Sequence, residues 1–518
     1  MSNAGSVITI KRSRSARLMS TDKLTAVVSA KGAARWAAGH PWIYRTDVVD
    51  EPRGQAGLVR VTDRRGAFLG QALYSPRSEI RLRLLAPDDV PIDAAWWSGR
   101  LRAAALRRTG IPSDAVRVVH AEGDGLPSLV VDRYGPYVVA QLLSAGLEAA
   151  RDEVIDGIRT ALEPDGILLR NDSAVRRHEG LPLLTQTVYG RVPEEVVVTE
   201  HDVRYFAALQ HGQKTGAFLD QRDNRALIAS YARPGGRALD VFAYHGSFAL
   251  HLARRAGSVM AVDQSAEALA RGRRNAELNG LTTISWREAN AFDLLRTLER
   301  ARERFDTIVL DPPAFAKTKA SLARALAGYK EINLRAMRLL TPAGVLLSCS
   351  CSYHVHRADF LEMLTDAARD SGRRLELVRV AGAATDHPEI LTIPETGYLP
   401  GALLRAVASP SYQGVDSRHA SYNLAPMSFA RHESHDRTAR VRRVLVGIFF
   451  ANLAVVVAKL VVGLATHSLA VLGDTLHSSV DALNNILALV VVRVAAQAPD
   501  EDHPYGHGKF ETLGALAI

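Results

Sequence analysis

Cysteine is nearly absent: Cys349 and Cys351 are the only two in 518 residues. A strand rise of ~3.3 Å per residue puts their Cα atoms about 6.6 Å apart, at the edge of disulfide geometry. No disulfide framework is therefore available, and a reducing, cytoplasmic setting is expected. The first twenty residues carry basic side chains but no apolar run of signal-peptide length, which argues against secretion, and translation can equally start at Met19. Hydrophobic residues at 47% and charged residues at 23% exclude wholesale disorder, a collagen-like repeat and a polytopic membrane protein throughout. The length exceeds one core, so several domains are expected. An excess of 64 Lys and Arg over 55 Asp and Glu, net +9, favours contact with phosphates or acidic lipids.

Residues 22–98 show short alternating runs, such as Gly57–Thr62 and Ile80–Leu85, broken by Gly, Pro and Asp. They predict a small β-rich module. Residues 99–200 mix a helix at Leu101–Arg108, strands at Ser128–Val131 and Val138–Leu142, a helix near Ala149–Ala161 and further strands, an α+β pattern. From 201 to 408, apolar runs (Ala238–Phe242, Val259–Val262, Thr307–Leu310, Val345–Ser348) alternate with helical stretches. That is the pattern of a parallel sheet covered on both faces, so the fold class is α/β. Residues 409–443 are polar and turn-rich and read as a linker. Residues 444–518 differ in kind: Val444–Leu464 is a 21-residue apolar stretch and a second runs from Leu469 to about Val494, with a four-residue gap between. Each is long enough to span a bilayer, predicting a two-helix transmembrane hairpin over 444–495, with Arg437, Arg440, Arg442 and Arg443 keeping both ends cytoplasmic.

Chemistry collects at strand ends of the α/β region. The segment 238–257 reads as a buried strand ending at Asp240, a turn through Tyr244 and Gly246, and a helix; Gly246 lacks the Cβ that would block a ligand. The next strand ends in Asp263, placed to accept ribose hydroxyls. The spaced glycines of a dinucleotide site are missing, which tilts the cofactor from NAD to S-adenosylmethionine. At the fourth strand, Asp311-Pro312-Pro313-Ala314-Phe315 makes a rigid exit, and Phe315 can stack on a flat base. At the fifth, Cys351 lies just past the buried run, where a thiol can be exposed and ionise.

The stretches HPWIYRTDV (40–48), ALYSPRSEIRLRLL (72–85), AEGDGLPSLVVDRYG (121–135), QHGQKTGAFLDQRDNR (210–225), the DPPAF element, GYKEINLRAMRLLTPAGVLLSCSCS (328–352) and DHPE…YLPG (386–401) resemble the bacterial large-subunit rRNA cytosine-C5 methyltransferases. These join a PUA-like domain to a class I, Rossmann-like methyltransferase domain. The resemblance covers 22–408 and implies ribosomal RNA as substrate. It places Asp240, Tyr244, Gly246, Asp263, Asn290, Phe292 and Asp311 around S-adenosylmethionine, and Lys214, Phe218, Asp220, Arg222 and Phe315 along the cleft. Two positions depart from the family pattern: Tyr244-His245-Gly246-Ser247-Phe248 stands for Y-T-G-G-F, and Asn290 for an acidic residue, its amide oxygen facing the adenine amino group. C5 of cytosine is a poor nucleophile until a thiolate adds to C6. Cys351 aligns with the family's cysteine, and the resemblance implies that Asp311 holds the N3/N4 edge. An N2-guanine methyltransferase would need the DPP element but no cysteine. Arg77, Arg81 and Arg83 of the β module are expected to grip RNA.

The polar residues of the second apolar stretch fall on one helical face, and His477 and Asp481, at i and i+4, can bind one metal ion. With Asp500, His503 and His507 beyond them, residues 437–518 resemble the start of a cation diffusion facilitator, whose substrate is a divalent metal such as Zn²⁺. The expectation is an incomplete transporter fused to an enzyme; the reverse, a membrane metal-binding protein with a degenerate enzyme domain, stays open.

Overall fold

The computed structural model describes residues 24–407 apart from 53 and 317, with Lys319 described by its backbone only, together with 453–462, 464, 465 and 474. The chain divides into two units, 1–411 and 412–518.

The first unit opens with a six-stranded sheet in the order Trp42–Tyr44, Ile80–Ala86, Phe68–Tyr74, Gly57–Thr62, Thr25–Val28, Val48–Asp50. Neighbours are antiparallel except the pair Thr25–Val28 and Gly57–Thr62. Alternation buries Val59 and Val61 against Val28, Ile43, Ala72 and Leu82. Arg81 and Arg83, expected on the surface, are buried instead. Arg81 donates to Glu51 Oε1 at 2.9 Å and to the carbonyls of Ser75, Pro76 and Ser78; Arg83 donates to Glu179 Oε1 at 2.8 Å. An alternating strand turns every second residue inward, and both arginines find carboxylates there. Arg77 stays exposed, packed over Gly180.

A five-stranded sheet follows, in the order Leu184–Gly190, Gly166–Asn171, Tyr137–Leu142, Leu129–Tyr134, Ala115–His120, with helices Ala94–Leu106 and Arg151–Leu162 packed together beside it. The first helix begins before Leu101 because Asp93 accepts from Trp96 N at 2.9 Å as its N-cap. A hairpin, Glu195–Glu200 and Val203–Ala208, leads into the α/β layer.

That layer has seven strands: β1 (Arg237–Val241), β2 (Ser258–Asp263), β3 (Ile284–Glu288), β4 (Phe305–Leu310), β5 (Leu340–Cys349), β6 (Leu375–Ala381) and β7 (Gly401–Ala406). Their order is β3-β2-β1-β4-β5-β7-β6, parallel from β3 to β5, with β7 antiparallel to both neighbours. The helices are α1 (Arg222–Tyr231), α2 (Ser247–Ala253), α3 (Ala266–Leu278), α4 (Ala291–Arg300), α5 (Leu322–Leu339) and α6 (Arg357–Ser371). Strands buried on both faces carry continuous apolar runs; Leu239, Val241, Ile308 and Leu310 pack against α4 to α6, while Ala238, Val309 and Leu347 face α1 and α2. Crossover helices on both faces leave the C-terminal ends of β1, β2, β4 and β5 converging at the order reversal, where ligands bind in such folds.

In the second unit, 453–462 are helical and Lys459 Nζ lies 2.7 Å from Asp474 Oδ2. Among the described residues no helix is long and apolar enough to cross a membrane. The linker 409–443, most of the expected hairpin, and His477, Asp481, Asp500, His503 and His507 lie outside the described residues. Among those described, no group of three or more His, Cys, Asp or Glu is placed to hold a metal.

Candidate active site

At the end of β1, Asp240 is fully buried. Its Oδ2 accepts from Ala249 N at 2.9 Å, while Oδ1 has no partner. Burial, with the nearby carboxylates Asp311 and Asp263, pushes this carboxyl up to about 8. The following loop carries positive φ at Phe242 (68°), Tyr244 (49°) and Gly246 (80°). Asp263, at the end of β2, pins it: Oδ2 accepts from Tyr244 N at 2.8 Å and Oδ1 from Ser265 N at 2.9 Å. Gly246 is demanded by packing as well as by φ, since a Cβ there would lie 2.7 Å from Trp286 Cζ3 and closer still to Cη2. The glycine thus admits an indole from β3, a neighbour the sequence does not reveal. Asn290 is the N-cap of α4, its Oδ1 accepting from Phe292 N at 3.0 Å and Asp293 N at 3.3 Å, so the oxygen expected to face adenine is engaged by the helix.

The exits of β4 and β5 are fastened together. Ser352 Oγ accepts from Ala316 N at 3.0 Å and hydrogen-bonds Tyr329 OH at 2.9 Å; Cys351 Sγ donates to Pro312 O at 3.5 Å. Asp311 Oδ1 accepts from Gln221 Nε2 at 2.7 Å. Burial and the charge of Asp220 push Asp311 up to about 7. Cys351 is half-buried; burial, then the charge of Asp311, pushes its thiol up to about 11 against the opposing ammonium of Lys214. Ionisation of this thiol is therefore disfavoured unless the charge of Asp311 is removed. Cys349 is fully buried, and burial, then the charge of Asp311, pushes its thiol well above the ordinary range too.

Cys351 opens onto a cleft of about 1000 Å³ lined by Trp42 of the first sheet, Arg117, His120 and Arg170 of the second, and Lys214 and Tyr398. Lys214 pairs with Asp220 and sits 4.8 Å over the Phe218 ring; Asp220, buried behind it, also accepts from Tyr398 OH at 2.6 Å. Against a burial penalty, Lys214 and His387 hold the Asp220 carboxyl far below its ordinary value. Phe218 meets Tyr244 edge-on at 5.4 Å, joining this cleft to the β1 loop.

Of the five expected cleft residues only Lys214 lines it; Phe218 and Asp220 contact Lys214 from behind, and two stand elsewhere. Arg222 is fully buried in a bidentate pair with Asp386, at 2.8 and 3.0 Å, and so clamps the segment before β1 to the loop after β6. Phe315 packs among Phe242, Phe292 and Tyr329, with ring centroids 6.4, 5.9 and 4.6 Å away, and does not line the large cleft. Sequence reasoning missed Gln221, Arg117, His120, Arg170 and Tyr398. Gln221 and Tyr398 belong to motifs already singled out (210–225 and 386–401), which was the signal available. Arg117, His120 and Arg170 lie outside the quoted motifs and gave none.

Three known families match: a PUA-like domain over 27–87, an S-adenosylmethionine-dependent methyltransferase over 169–397 and a cation efflux transmembrane domain over 445–518. Among curated relatives, ribosomal RNA large subunit methyltransferase I of Tolumonas auensis is 40% identical over 381 residues, 71% of this chain and 96% of its own length. The chain belongs to the ribosomal RNA large subunit methyltransferase I family. The Aeromonas hydrophila family member is 39% identical, with 71% and 95% covered. Two solved methyltransferase structures share the fold. One, from Streptococcus mutans, has TM-score 0.63, 18% identity and 74% of this chain covered against all of its own; the other, complexed with S-adenosylhomocysteine, has TM-score 0.64, 19% identity and the same coverage.

As a member of this family the chain is an S-adenosylmethionine-dependent methyltransferase, and the residues present fit that cosubstrate. Asp240 Oδ1 is a buried oxygen without a partner at the end of β1, and the half-exposed Asp263 retains lone pairs that would suit ribose hydroxyls.

Proposed function

We propose that the chain transfers a methyl group to C5 of a cytosine in large-subunit ribosomal RNA, with Cys351 as nucleophile and Asp311 facing the base. The observation that carries this reading is the fastening of the β4 and β5 exits, which holds a half-buried thiol at the wall of one large cleft and within the electrostatic reach of the half-buried Asp311 carboxyl. The relatives, methyltransferases of large-subunit ribosomal RNA, supply the substrate class.

Cys351 adds as thiolate to C6: the S–C6 bond forms, the C5=C6 pair shifts toward C4 and N3, and N3 takes a proton from Asp311. A carboxyl near 7 is substantially protonated at neutral pH, as that donation needs, and a neutral Asp311 also removes the main charge opposing the thiolate. Lys214, on the same cleft, supplies the cation that favours ionisation. Bound S-adenosylmethionine supplies the electrophilic methyl group. C5 would take the methyl as its bond to the sulfonium sulfur breaks and S-adenosylhomocysteine leaves; a base then removes the C5 proton, the C5=C6 bond re-forms as the C6–S bond breaks, and N3 gives up its proton. Everting the base into the cleft fits a wall built from three sheets, with Trp42, His120 and Tyr398 as flat apolar surfaces.

Bisulfite sequencing of large-subunit rRNA tests this in cells with and without the gene. One cytosine is expected to resist deamination only when the gene is present, and Cys351→Ala is expected to abolish that protection. Protection that survives Cys351→Ala refutes the covalent role, and no protected cytosine favours the N2-guanine alternative.

The match to a cation efflux transmembrane domain supports a second element of the reading: residues 444–495 enter a membrane and tether a cytoplasmic enzyme, with Zn²⁺ as the metal for His477 and Asp481. Carbonate-resistant sedimentation of the full chain with membranes tests it.

A further inference from the structure

Asp311 is not left to choose its own protonation geometry. Behind it Gln221, 2% exposed, donates Nε2 to Asp311 Oδ1 at 2.7 Å. The polarity of that amide is set by a chain of contacts ending on the backbone. Gly382 O can only accept, so the Asn224 group 2.9 Å from it is the amide nitrogen. The same nitrogen reaches Gln221 Oε1 at 2.6 Å, which leaves the Gln221 nitrogen for Asp311. The Cys349 thiol, 3.9 Å from Gln221 Oε1, adds a donor on the same side. Gln221, Asn224 and Cys349 are buried and Asp311 is half-buried, so the relay is held largely inside the protein.

We propose that Gln221 is a positioning residue that keeps the proton of Asp311 on Oδ2, and so makes the cleft read cytosine and reject uracil. The inference rests on the cytosine reading above. An N–H directed at Oδ1 disfavours a proton on that oxygen, so a neutral Asp311 presents Oδ2–H as donor and Oδ1 as acceptor. Cytosine matches this pattern: N3 accepts from Oδ2–H, and the N4 amino group donates to the second lone pair of Oδ1. Uracil inverts it, since its N3–H meets Oδ2–H and its O4 meets an acceptor. Uracil becomes acceptable only if the proton moves to Oδ1, against the Gln221 amide.

The test uses the full chain in detergent and two transcripts of the bisulfite-mapped rRNA region, identical except for cytidine or uridine at the target position. Transfer of tritiated methyl groups is measured for each. Gln221→Met keeps the volume and removes the donor; the cytosine-to-uracil ratio of kcat/KM is expected to fall about 10- to 100-fold, the worth of one well-formed polar base contact. Affinity for S-adenosylhomocysteine is expected to stay within about twofold, since Gln221 bonds Asp311, Asn224 and Cys349 but neither Asp240 nor Asp263, the carboxyls that fit that ligand. Without its donor the Asp311 carboxylate loses stabilisation, so the alkaline limb of the cytosine rate moves to higher pH. Asn224→Ala, which frees the Gln221 amide to turn over, is expected to lower the ratio in the same direction by less. An unchanged ratio in both variants overturns the proposal while the cytosine reading stands. A wild-type product other than 5-methylcytosine overturns both.

Discussion

Gly246→Ala is expected to cost about 3 kcal/mol of stability, in two separable parts. The backbone part follows from φ of 80°, a left-handed conformation that costs a residue with a Cβ ~1–2 kcal/mol. The packing part follows from Trp286, whose Cζ3 would lie 2.7 Å from the new methyl group and must move; overpacking of this kind costs ~1–3 kcal/mol. Trp286→Val removes the second part and leaves the first. Urea unfolding of wild type, both single variants and the double variant is therefore expected to show a favourable coupling of ~1–2 kcal/mol. Calorimetric titration of the same four proteins with S-adenosylhomocysteine separates two reasons for the glycine. If Trp286 is the obstacle, the double variant recovers most of the affinity lost by Gly246→Ala. Additive stabilities, or an affinity as weak in the double variant as in the single one, would falsify the packing argument and return Gly246 to the role of a ligand-approach glycine.

Arg222→Met leaves Asp386 buried and uncompensated and is expected to cost ~3–5 kcal/mol in urea unfolding, with cleft activity lost in proportion to folded protein. The pH dependence carries its own sign. Despite burial, His387 and Arg222 hold the Asp386 carboxyl far below its ordinary value, so its contribution is complete above the unfolded carboxylate range near ~4 and is lost as pH falls through the folded value. Asp386→Asn is expected to flatten that acid branch; an unchanged acid branch removes Asp386 from the account. Cys349→Ser, at a buried position 3.9 Å from Gln221, is expected to retain most methylation while Cys351→Ser loses it; equal losses would show that the two thiols are not distinguished. A fragment ending at Ser411, the boundary of the first unit, is expected to methylate RNA as well as the full chain does in detergent, and a loss of more than about tenfold would assign the tail a catalytic task.

The strand ends were legible because buried parallel strands leave unbroken apolar runs, and the polar residue that closes such a run stands at the end of its strand. Asp240, Asp263, Asp311 and Cys351 were placed at strand ends in that way, and Gly57–Thr62 has the bounds that its alternation predicts. Pairings between distant residues were not legible. Arg222 and Asp386 lie 164 positions apart, and nothing in either local pattern says that one guanidinium belongs to that carboxylate and not to solvent. Arg81 and Arg83 misled for a related reason, because charge on an alternating strand resembles a wet face until Glu51 and Glu179 are seen beneath it. Phe315 and Asn290 show the local form of the problem: a ring competes for neighbouring rings, and an asparagine before a helix competes for its amides, before either can meet a ligand.

The position of β7 sets an order on the birth of the enzyme. The last strand of the sheet to leave the ribosome is not an edge strand: it slides between β5 and β6, pairing Gly401 with Cys349, while Pro400 O receives Ser350 N. Until residues 400–406 have been synthesised, β5 therefore ends in an open edge and the segment bearing Cys351 lacks one of its two side supports. A nascent chain can thread β1 to β5 in sequence, but it stays catalytically silent and prone to strand-to-strand association through most of its elongation. Completion of the wall beside the thiol thus waits on β7, and any slowing of synthesis between β5 and β7 lengthens the interval in which that edge stands open.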